Sequence, residues 1–514
     1  MSPPADGGDA ELSRVARGGA LNVAGAVAGA ALNTGLIVLL ARAFPQDTAG
    51  LLFSATSVFL IAAAVADLGA STGLVYFVAR LRALGGAGRI PHLLRQVFGP
   101  VVAVSVAAAA ALVACADDIA RFIGADEAGS YVRMLAVFLP FAVVTDAALA
   151  ATRGLRDMGA TVLVGRVGRP LAQLALVGGV ALTGGAGLLM VAWAGPYLPA
   201  AIVAWFWLRR IVRDAAQSAD APPDDAAAGP VTPAAFWAFS LPRSVATIAQ
   251  LGIQRSGIVL VAALQGGAAA AVFTAATRLP VVGQFGAQAL QFAAQPRLAE
   301  LLAVDDRRGA GALYRASTAW LICLTWPLFL TAIVHAPLVM GLFGAGYEQG
   351  AGVLVVVAVA QLGAAAMGMG DAVLAMAGRT GWNLVNNVLA LLVNVALCLA
   401  LIPSWGALGA ALAWAAAIAV RNALPVAQLS RSLGLHPFGR GWCIAIGVCL
   451  VWFGAVPMAC TASLGDGPVS LSVALAVGGA GHLATLWRLR GLLRLDGLVR
   501  PPAQLRSDMS STKR

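Results

Sequence analysis

Charged residues are scarce in this sequence of 514 residues. Only 11% of the positions are Asp, Glu, Lys or Arg, and 60% are hydrophobic, whereas about a quarter of the residues of a typical soluble domain are charged. This shortage excludes a soluble globular fold. Lysine is nearly absent, with Lys513 as the sole example, and the arginines fall mostly in short segments between apolar runs. The net charge of +11 therefore indicates membrane topology and no nucleic-acid partner.

Side chains that bind metals, form disulfides or relay protons are also few. The six cysteines lie inside apolar runs without CxxC spacing, so the sequence predicts neither a disulfide nor a metal site. The four histidines lie in loops or at the ends of apolar runs, which argues against a histidine relay across the membrane. The sequence contains no Walker A loop, HExxH or GxSxG motif. We therefore predict that the protein is not an enzyme and needs no cofactor or metal.

Long apolar runs dominate what the sequence does contain. Runs of this length predict an all-α polytopic membrane protein with about fourteen transmembrane helices, because some twenty apolar residues cross the hydrocarbon core of a bilayer. The predicted spans are 18–40, 50–75, 94–115, 131–152, 162–183, 187–208, 236–263, 268–295, 314–334, 350–376, 382–402, 405–428, 441–462 and 468–488.

Basic residues recur in every second connection between these spans. Arginines precede the first span, occupy the even-numbered connections and follow the last span. The odd-numbered connections carry few arginines or are acidic, as at Asp117 and Asp118. Because cytoplasmic loops are enriched in Lys and Arg, this alternation predicts a multi-pass protein with both termini in the cytoplasm.

A long connection and a short repeat divide the chain. Residues 209–235 are rich in Ala, Asp and Pro, which is typical of a flexible linker. Residues 146–150 (DAALA) in span four match residues 371–375 (DAVLA) in span ten, although Ala-rich sequences also match by chance. A repeat of six spans predicts two six-helix bundles related by a pseudo-twofold axis along the membrane normal. The predicted segments are a cytoplasmic N-terminus 1–17, an N-terminal six-helix bundle 18–208, a cytoplasmic linker 209–235, a C-terminal six-helix bundle 236–428, two additional transmembrane helices 429–490 and a cytoplasmic tail 491–514.

Two apolar spans joined by a tight turn at Gly266 and Gly267 carry the most unusual charges. Arg255 lies about ten residues before the turn and Arg278 about eleven after it, so both lie roughly 15 Å below the same membrane face. This depth is near the bilayer midplane. Intramembrane charges are costly and usually face a cavity or a partner.

Two interpretations of these charges remain open. In the first they form a substrate-binding cavity, because the planar guanidinium group pairs well with phosphate oxygens. The predicted cavity residues are Arg255, Arg278, Arg243, Gln254 and Gln288. In the second interpretation each arginine pairs with an intramembrane carboxylate. The candidate carboxylates, which are also candidate coupling or gating residues, are Asp67, Asp146 and Asp371.

Three asparagines, Asn383, Asn387 and Asn394, occupy the predicted span 382–402. Their spacings of four and seven residues place them on one side of a helix. Hydrogen bonding between helices is the favoured interpretation, and a role in a cavity is the alternative.

Several short motifs occur in a consistent order along nearly the whole chain. They are GGALN at 18–22, ADLG at 66–69, PRLAE at 296–300, AGRT at 377–380, LIP at 401–403 and GALGAA at 406–411. Together they resemble polysaccharide exporters of the Wzx type, a family of the multidrug/oligosaccharidyl-lipid/polysaccharide (MOP) superfamily. That superfamily has two six-helix bundles with two extra helices, the same layout that the spans of this sequence predict.

The resemblance implies a flippase of the bacterial cytoplasmic membrane. Its substrate would be a lipid-diphosphate-linked oligosaccharide, moved from the inner to the outer leaflet by alternating access. The implied partners are this glycolipid, membrane lipids, and the glycosyltransferases or polymerase of the same pathway. The alternatives are a cation-coupled multidrug antiporter of the MATE type, whose cavity should be acidic, a lipid II flippase of the MurJ type, and a scaffold without transport activity.

Overall fold

The computed structural model of the chain describes residues 6–217 and 231–492. The described side chains begin at Ala24, and a few later ones, mostly between 280 and 293, are outside the description. Three predicted segments therefore lie wholly or partly outside the described residues, namely the N-terminus 1–17, the linker 209–235 and the tail 491–514.

The described residues form α-helices and no β-strand. The helices are α1 (Asp6–Ala43), α2 (Gln46–Asp67), α3 (Ala70–Ala83), α4 (Ile90–Ala114), α5 (Ala116–Ile123), α6 (Glu127–Ala136), α7 (Leu139–Gly154), α8 (Arg169–Thr183), α9 (Leu189–Ala194), α10 (Tyr197–Gln217), α11 (Pro233–Gln265), α12 (Gly267–Ala276), α13 (Leu279–Ala303), α14 (Arg307–Val334), α15 (Ala336–Gly341), α16 (Ala351–Met367), α17 (Gly370–Met376), α18 (Thr380–Leu433), α19 (Arg440–Cys449), α20 (Val456–Leu464) and α21 (Pro468–Arg488). Two π-helical segments, Thr161–Gly168 and Leu450–Ala455, precede α8 and α20. This all-helical chain confirms the predicted fold class, and it suits a bilayer because each helix satisfies its own backbone groups.

Ten helices in the described part of the chain are long and apolar enough to cross a membrane. An eleventh span results if α6 and α7, which are bent by 44° at their junction, are taken together. The predicted number of fourteen is not confirmed. The predicted span 162–183 is helical throughout, and its π-helical start passes directly into α8. The predicted span 268–295 is broken at Thr277 and Arg278. Spans 382–402 and 405–428 run together in α18 across a kink at Gly406 (φ 55°).

Some of the breaks lie inside predicted spans and have visible causes. Within the predicted span 50–75, the first helix ends at Asp67, because Leu68 and Gly69 both adopt left-handed backbone conformations. Ser71, in the first turn of α3, donates its backbone N–H to Asp67 Oδ2 at 3.3 Å and its hydroxyl to Asp67 Oδ1 at 2.7 Å. The carboxylate therefore satisfies donors that the break would otherwise leave free.

The Cα positions group into two compact units. Unit 1 contains the chain up to Arg278 together with 343–347 and 387–414, and unit 2 contains 279–342, 348–386 and the chain from Ala415 onward. The predicted bundle boundaries at 208, 235 and 428 stay a prediction.

The predicted turn between α11 and α12 is confirmed and lies against α2 within unit 1. Gly266, with φ of 88°, separates the two helices. Gly50 of α2 lies so close to it that a Cβ on this glycine would lie 1.8 Å from the carbonyl oxygen of Gly267. Asp47 Oδ1 accepts the N–H of Ala268 at 2.9 Å, which caps the start of α12. The Nε2 of Gln265 donates to the carbonyl of Ile402 at 3.1 Å, so α18 holds the turn as well.

The core of unit 2 surrounds α14. Tyr314 is fully buried, and its hydroxyl donates to the carbonyl of Met367 at 2.9 Å. Trp326 Nε1 donates to the carbonyl of Leu362 at 3.1 Å. These bonds connect α14 to α16 at two levels, and apolar side chains from α13, α17 and α19 complete the cluster.

Candidate substrate-binding site

Arg255 lies two-thirds of the way along α11 and is half-buried. Its Nε atom is buried and has no hydrogen-bond partner within the described residues. The turn that carries it is fixed from outside, because Asn394 Nδ2 donates to Ser256 Oγ at 2.9 Å and to the carbonyl of Ile253 at 3.4 Å. This is the interhelical bonding that was the favoured interpretation for Asn394. The protein thus orients Arg255 while leaving part of its donor capacity unused.

Arg278 lies between α12 and α13, at a break inside the predicted span 268–295. Its Nε donates to the carbonyl of Thr274 at 3.1 Å, one of the acceptors left free where α12 ends. A cation at a helix C-terminus also interacts favourably with the helix dipole. Arg278 and Arg255 are close enough to repel each other electrostatically. Neither makes an ion pair with any carboxylate that the structure describes.

A third arginine, Arg169, extends this group. Its guanidinium lies over the ring of Tyr197, with 4.6 Å between Cζ and the ring centroid. Tyr197 is 2% exposed and interacts electrostatically with both Arg169 and Arg255. The tyrosine is held in an aromatic cluster, since its centroid lies 5.7 Å from that of Phe59 and 5.9 Å from that of Trp193. Arg169 Nε is buried without a partner in the described chain, as is that of Arg255.

Asp146 interacts electrostatically with Arg169, and it also lines a cavity of about 340 Å³ in unit 1. Asp146, Asp67 and Arg153 line this cavity, and Arg153 interacts electrostatically with both carboxylates. Asp146 is exposed although the six residues that follow it are buried, because its side chain faces this space. Ser71 and Thr247, which carry hydroxyl groups, also line the cavity. The cavity wall therefore contains both charged groups and neutral hydrogen-bonding groups.

These residues form one charged row inside unit 1. We define the charged row as Asp67, Arg153, Arg166, Asp146, Arg169, Tyr197, Arg255 and Arg278. Each member interacts electrostatically with at least one other. The carboxylates lie at one end among Arg153, Arg166 and Arg169, and Arg255 and Arg278 lie at the other. Arginines outnumber carboxylates in the row, and the excess of positive charge falls at the end without a carboxylate.

The other predicted cavity residues are not part of the charged row. Arg243 is exposed and occupied locally, because its Nη1 donates to the carbonyl of Phe239 at 2.9 Å and its Cζ lies 3.7 Å from the Phe239 ring centroid. Gln254 is half-buried beside Arg255 on α11. Gln288 is exposed and belongs to unit 2.

Asp371 also lies in unit 2, and it has a partner. Its Oδ2 accepts Arg421 Nε at 3.4 Å, and the two side chains are 31% and 29% exposed. Asn383 Nδ2 donates to the backbone carbonyl of Asp371 at 2.8 Å. Asp371 therefore connects α17 to two parts of α18, and its partner Arg421 is not one of the arginines for which the sequence predicted a carboxylate partner.

The sequence reasoning missed Arg153, Arg166, Arg169 and Tyr197. Arg153 directly follows the predicted span 131–152 and is therefore one of the arginines predicted in the even-numbered connections, whereas the structure places it in the last turn of α7. Arg166 and Arg169 lie inside the predicted span 162–183. Arg166 lies near the start of this span and Arg169 lies between its start and its middle, so the depth argument that identified Arg255 does not identify them. Tyr197 has no comparable signal, because an aromatic residue in an apolar span is ordinary.

Three solved structures of similar fold are transporters or flippases, whereas the sequence itself matches no protein-family model and no curated protein. A lipid II flippase, MurJ, in an inward closed conformation superposes with a TM-score of 0.71 and 11% identity, over 92% of this chain and 99% of MurJ. An inward-facing multidrug resistance transporter of the MATE family in the MOP superfamily superposes with a TM-score of 0.57 and 16% identity, over 78% of this chain and 94% of the transporter. A third structure is a MOP-superfamily transporter from Pyrococcus furiosus, which is described as having a binding pocket of reverse polarity. It superposes with a TM-score of 0.53 and 16% identity, over 85% of this chain and 95% of the transporter. None of these three is a Wzx-type exporter, so that finer resemblance stays a prediction.

Proposed function

Because the chain has the fold of MOP-superfamily transporters, we propose that it is a flippase for a lipid-diphosphate-linked oligosaccharide. The substrate is a precursor of a cell-surface polysaccharide. The protein moves it from the inner to the outer leaflet of the bacterial cytoplasmic membrane by alternating access. The lipid II flippase among the structures of similar fold supports a substrate of this chemical class, in which a diphosphate joins a sugar to a lipid.

The observation that carries the proposal is the pair Arg255 and Arg278. Two cations that repel each other at the predicted membrane midplane are costly, and the described residues supply no carboxylate to offset them. A diphosphate between them removes the repulsion and pairs with both planar guanidinium groups. Arg169, which has an unpartnered Nε and lies over the ring of Tyr197, offers a third donor.

The residues at the other end of the charged row can bind the oligosaccharide part of the substrate. The cavity bordered by Asp67, Asp146 and Arg153 presents carboxylates and hydroxyl groups, which hydrogen-bond well to sugar hydroxyl groups. Its volume of about 340 Å³ is at the lower end of the pockets that enclose small molecules. The lipid chain remains in the bilayer. Glycosyltransferases and a polymerase of the same pathway supply the substrate and consume it.

The decisive experiment measures flipping directly. The full chain is reconstituted into liposomes with a fluorescent, undecaprenyl-diphosphate-linked oligosaccharide, and a membrane-impermeant quencher reports how much substrate changes leaflet. We expect Arg255→Gln and Arg278→Gln each to lower the flipping rate by at least tenfold, because a charge-assisted hydrogen bond contributes about 1.5–3 kcal/mol. Arg255→Lys should recover only part of the rate, since an ammonium group lacks the planar fork.

The matched control is Arg297→Gln. Arg297 is 65% exposed and pairs with Glu300 in the same helical turn, so its loss should leave both flipping and thermal stability unchanged. Unchanged flipping in the Arg255→Gln, Arg278→Gln double variant would refute the proposal. A parallel assay with lipid II decides between this substrate and that of a MurJ-type flippase.

A cation-coupled multidrug antiporter is the second candidate, because Asp67 and Asp146 line the same cavity. Such a protein should confer resistance to cationic dyes, and Asp146→Asn should abolish that resistance. The five arginines of the charged row oppose a cationic substrate, which is why we favour the glycolipid.

A further inference from the structure

A second positively charged cavity lies wholly within unit 2. We propose that it binds the phosphate group of an anionic phospholipid, at a site separate from the proposed transport pathway. The cavity has a volume of about 220 Å³ and lies between α14 and the start of α19. We call it the α14–α19 cavity. The residues that carry the argument are Arg315, Gly439, Arg440, Gly441, Trp442 and Leu492.

Two arginines supply the charge of the α14–α19 cavity. Arg315 extends from α14 and is half-buried, and Arg440 begins α19 and is exposed. None of the residues that line the cavity is acidic, and neither arginine makes an ion pair with a carboxylate in the described part of the chain. The cavity therefore holds two guanidinium groups without a counter-ion from the described protein, and a phosphate oxygen is a suitable partner for both.

Two glycines make room for Arg315. A Cβ on Gly439 would lie 3.1 Å from Arg315 Cδ, and a Cβ on Gly311 would lie 3.4 Å from Arg315 Nη1. The long side chain therefore lies along backbone instead of extending freely into solvent. Less conformational entropy is lost when a phosphate binds to a side chain that is already ordered.

The first turn of α19 adds hydrogen-bond donors. Its N-cap is Gly439, and no side chain caps the helix. The N–H groups of Trp442 and Cys443 both bond to the carbonyl of Gly439. Arg440 and Gly441, which also line the cavity, come before them, where backbone N–H groups have no acceptor within the helix. Free N–H groups at a helix start favour anions, so the backbone and the two arginines favour the same kind of ligand.

The apolar part of the wall favours a lipid over a free ion. The Trp442 indole is fixed, because its Nε1 donates to the carbonyl of Ala366 at 2.9 Å, and Leu492 is 66% exposed. Tryptophan is enriched at the boundary between hydrocarbon and water. The connections before α14 and α19 are among those predicted to be cytoplasmic, where basic pockets between helices bind anionic lipid head groups. The volume is below the range of about 300–1,000 Å³ for pockets that enclose a whole small molecule, which suits a head group with its chains outside.

The test compares membranes of different charge. The full chain is placed in nanodiscs of phosphatidylcholine alone, or of phosphatidylcholine mixed with phosphatidylglycerol, and its melting temperature is measured. We expect phosphatidylglycerol to raise the melting temperature of the wild type by about 2–4 °C. Arg315→Gln and Arg440→Gln should each lose most of this rise. Ala316→Leu, which fills the α14–α19 cavity but keeps both arginines, should lose it too.

Arg308→Gln is the matched control, because Arg308 is an exposed residue of α14 that does not line the cavity, and this variant should respond as the wild type does. The proposal fails if the wild type does not respond, or if Arg315→Gln and Ala316→Leu respond like the wild type. It also fails if inorganic phosphate added to phosphatidylcholine nanodiscs gives the same rise, because the ligand is then a free anion. Since no transport is measured, these results are independent of the proposed flippase activity.

Discussion

Arg169 and Tyr197 form a cation–π pair, with 4.6 Å between the guanidinium Cζ and the ring centroid. Arg169 is the first residue of α8, directly after the π-helical segment, and Tyr197 is the first residue of α10, so the pair joins these two helices. Tyr197 also interacts electrostatically with Arg255, so it interacts with both of the arginines in the charged row that have an unpartnered Nε. Tyr197 therefore helps to position Arg169, which is one of the proposed phosphate ligands.

The first prediction concerns the ring of Tyr197. Tyr197→Phe keeps an aromatic face under Arg169 and should retain most of the flipping rate. Tyr197→Leu removes the face, and since a desolvated cation–π pair contributes about 2 kcal/mol, we expect the rate in reconstituted liposomes to fall by up to about thirtyfold. Equal rates for the two variants would show that the ring only fills space.

The second prediction concerns the contact between Gly50 and Gly267. Because an added methyl group would lie 1.8 Å from the Gly267 carbonyl oxygen, Gly50→Ala should force α2 away from the turn. We expect a loss of at least about 1–3 kcal/mol, the usual effect of overpacking, and a lower melting temperature by size-exclusion chromatography of heated samples. Gly35→Ala is the control, since nothing lies within 4 Å of a Cβ there. A Gly50→Ala variant that melts with the wild type would contradict the close contact.

The third prediction concerns the ion pair of Asp371 and Arg421. Both side chains are about one-third exposed, so we expect a coupling free energy of about 1–3 kcal/mol, between the values for surface and buried pairs. A double-mutant cycle with Asp371→Asn and Arg421→Gln, measured by thermal unfolding, gives this value. The same cycle on the exposed pair of Arg297 and Glu300 should give less than about 1 kcal/mol. A coupling free energy near zero for Asp371 and Arg421 would show that the two residues act independently.

The fourth prediction concerns Asp67 at the break between α2 and α3. Its carboxylate accepts two hydrogen bonds from Ser71, and an asparagine side chain still offers one acceptor. We expect Asp67→Ala to lose about 0.5–2 kcal/mol of stability, as for other lost helix caps, and Asp67→Asn to lose much less. If Asp67→Asn is as destabilised as Asp67→Ala, the negative charge near Arg153 is what matters.

The sequence was sufficient for the fold class because apolar runs of membrane length leave few alternatives. It was also sufficient for the turn at Gly266, since paired glycines between two such runs can adopt a backbone that other residues avoid. Helix breaks within the predicted spans were harder to predict. Leu68 has a left-handed conformation that nothing in the residue itself predicts, and only its packing environment in unit 1 selects it.

The candidate site was predicted in part. Depth along a helix identified Arg255 and Arg278, because it depends only on chain position. It missed Arg169, although Pro170 comes directly after it, and Pro280 similarly comes two residues after Arg278. Since proline favours the first turn of a helix, Pro280 indicates the break at Arg278, whereas the helix runs without a break from the π-helical segment Thr161–Gly168 through Arg169 into α8.

Pairings across the chain could not be predicted. Asp371 and Arg421 are 50 residues apart, and any of several arginines was an equally good partner by composition. Only the tertiary structure brings α17 and the second half of α18 together. The same limit applies to the α14–α19 cavity, whose two arginines are separated by more than a hundred positions.

The π-helical segment Thr161–Gly168 determines which way Arg169 points. A π-turn contains more residues than an α-turn, and each extra residue rotates the remainder of the helix by roughly 100° about its axis. The segment is packed in place, because a Cβ on Gly29 of α1 would lie 2.8 Å from the carbonyl oxygen of Arg166. Deleting one residue between 161 and 168 would therefore turn Arg169 away from Tyr197 without changing its identity. In an alignment with a relative that has a regular helix here, a gap must be opened inside this segment, or the arginine will be compared with the wrong position.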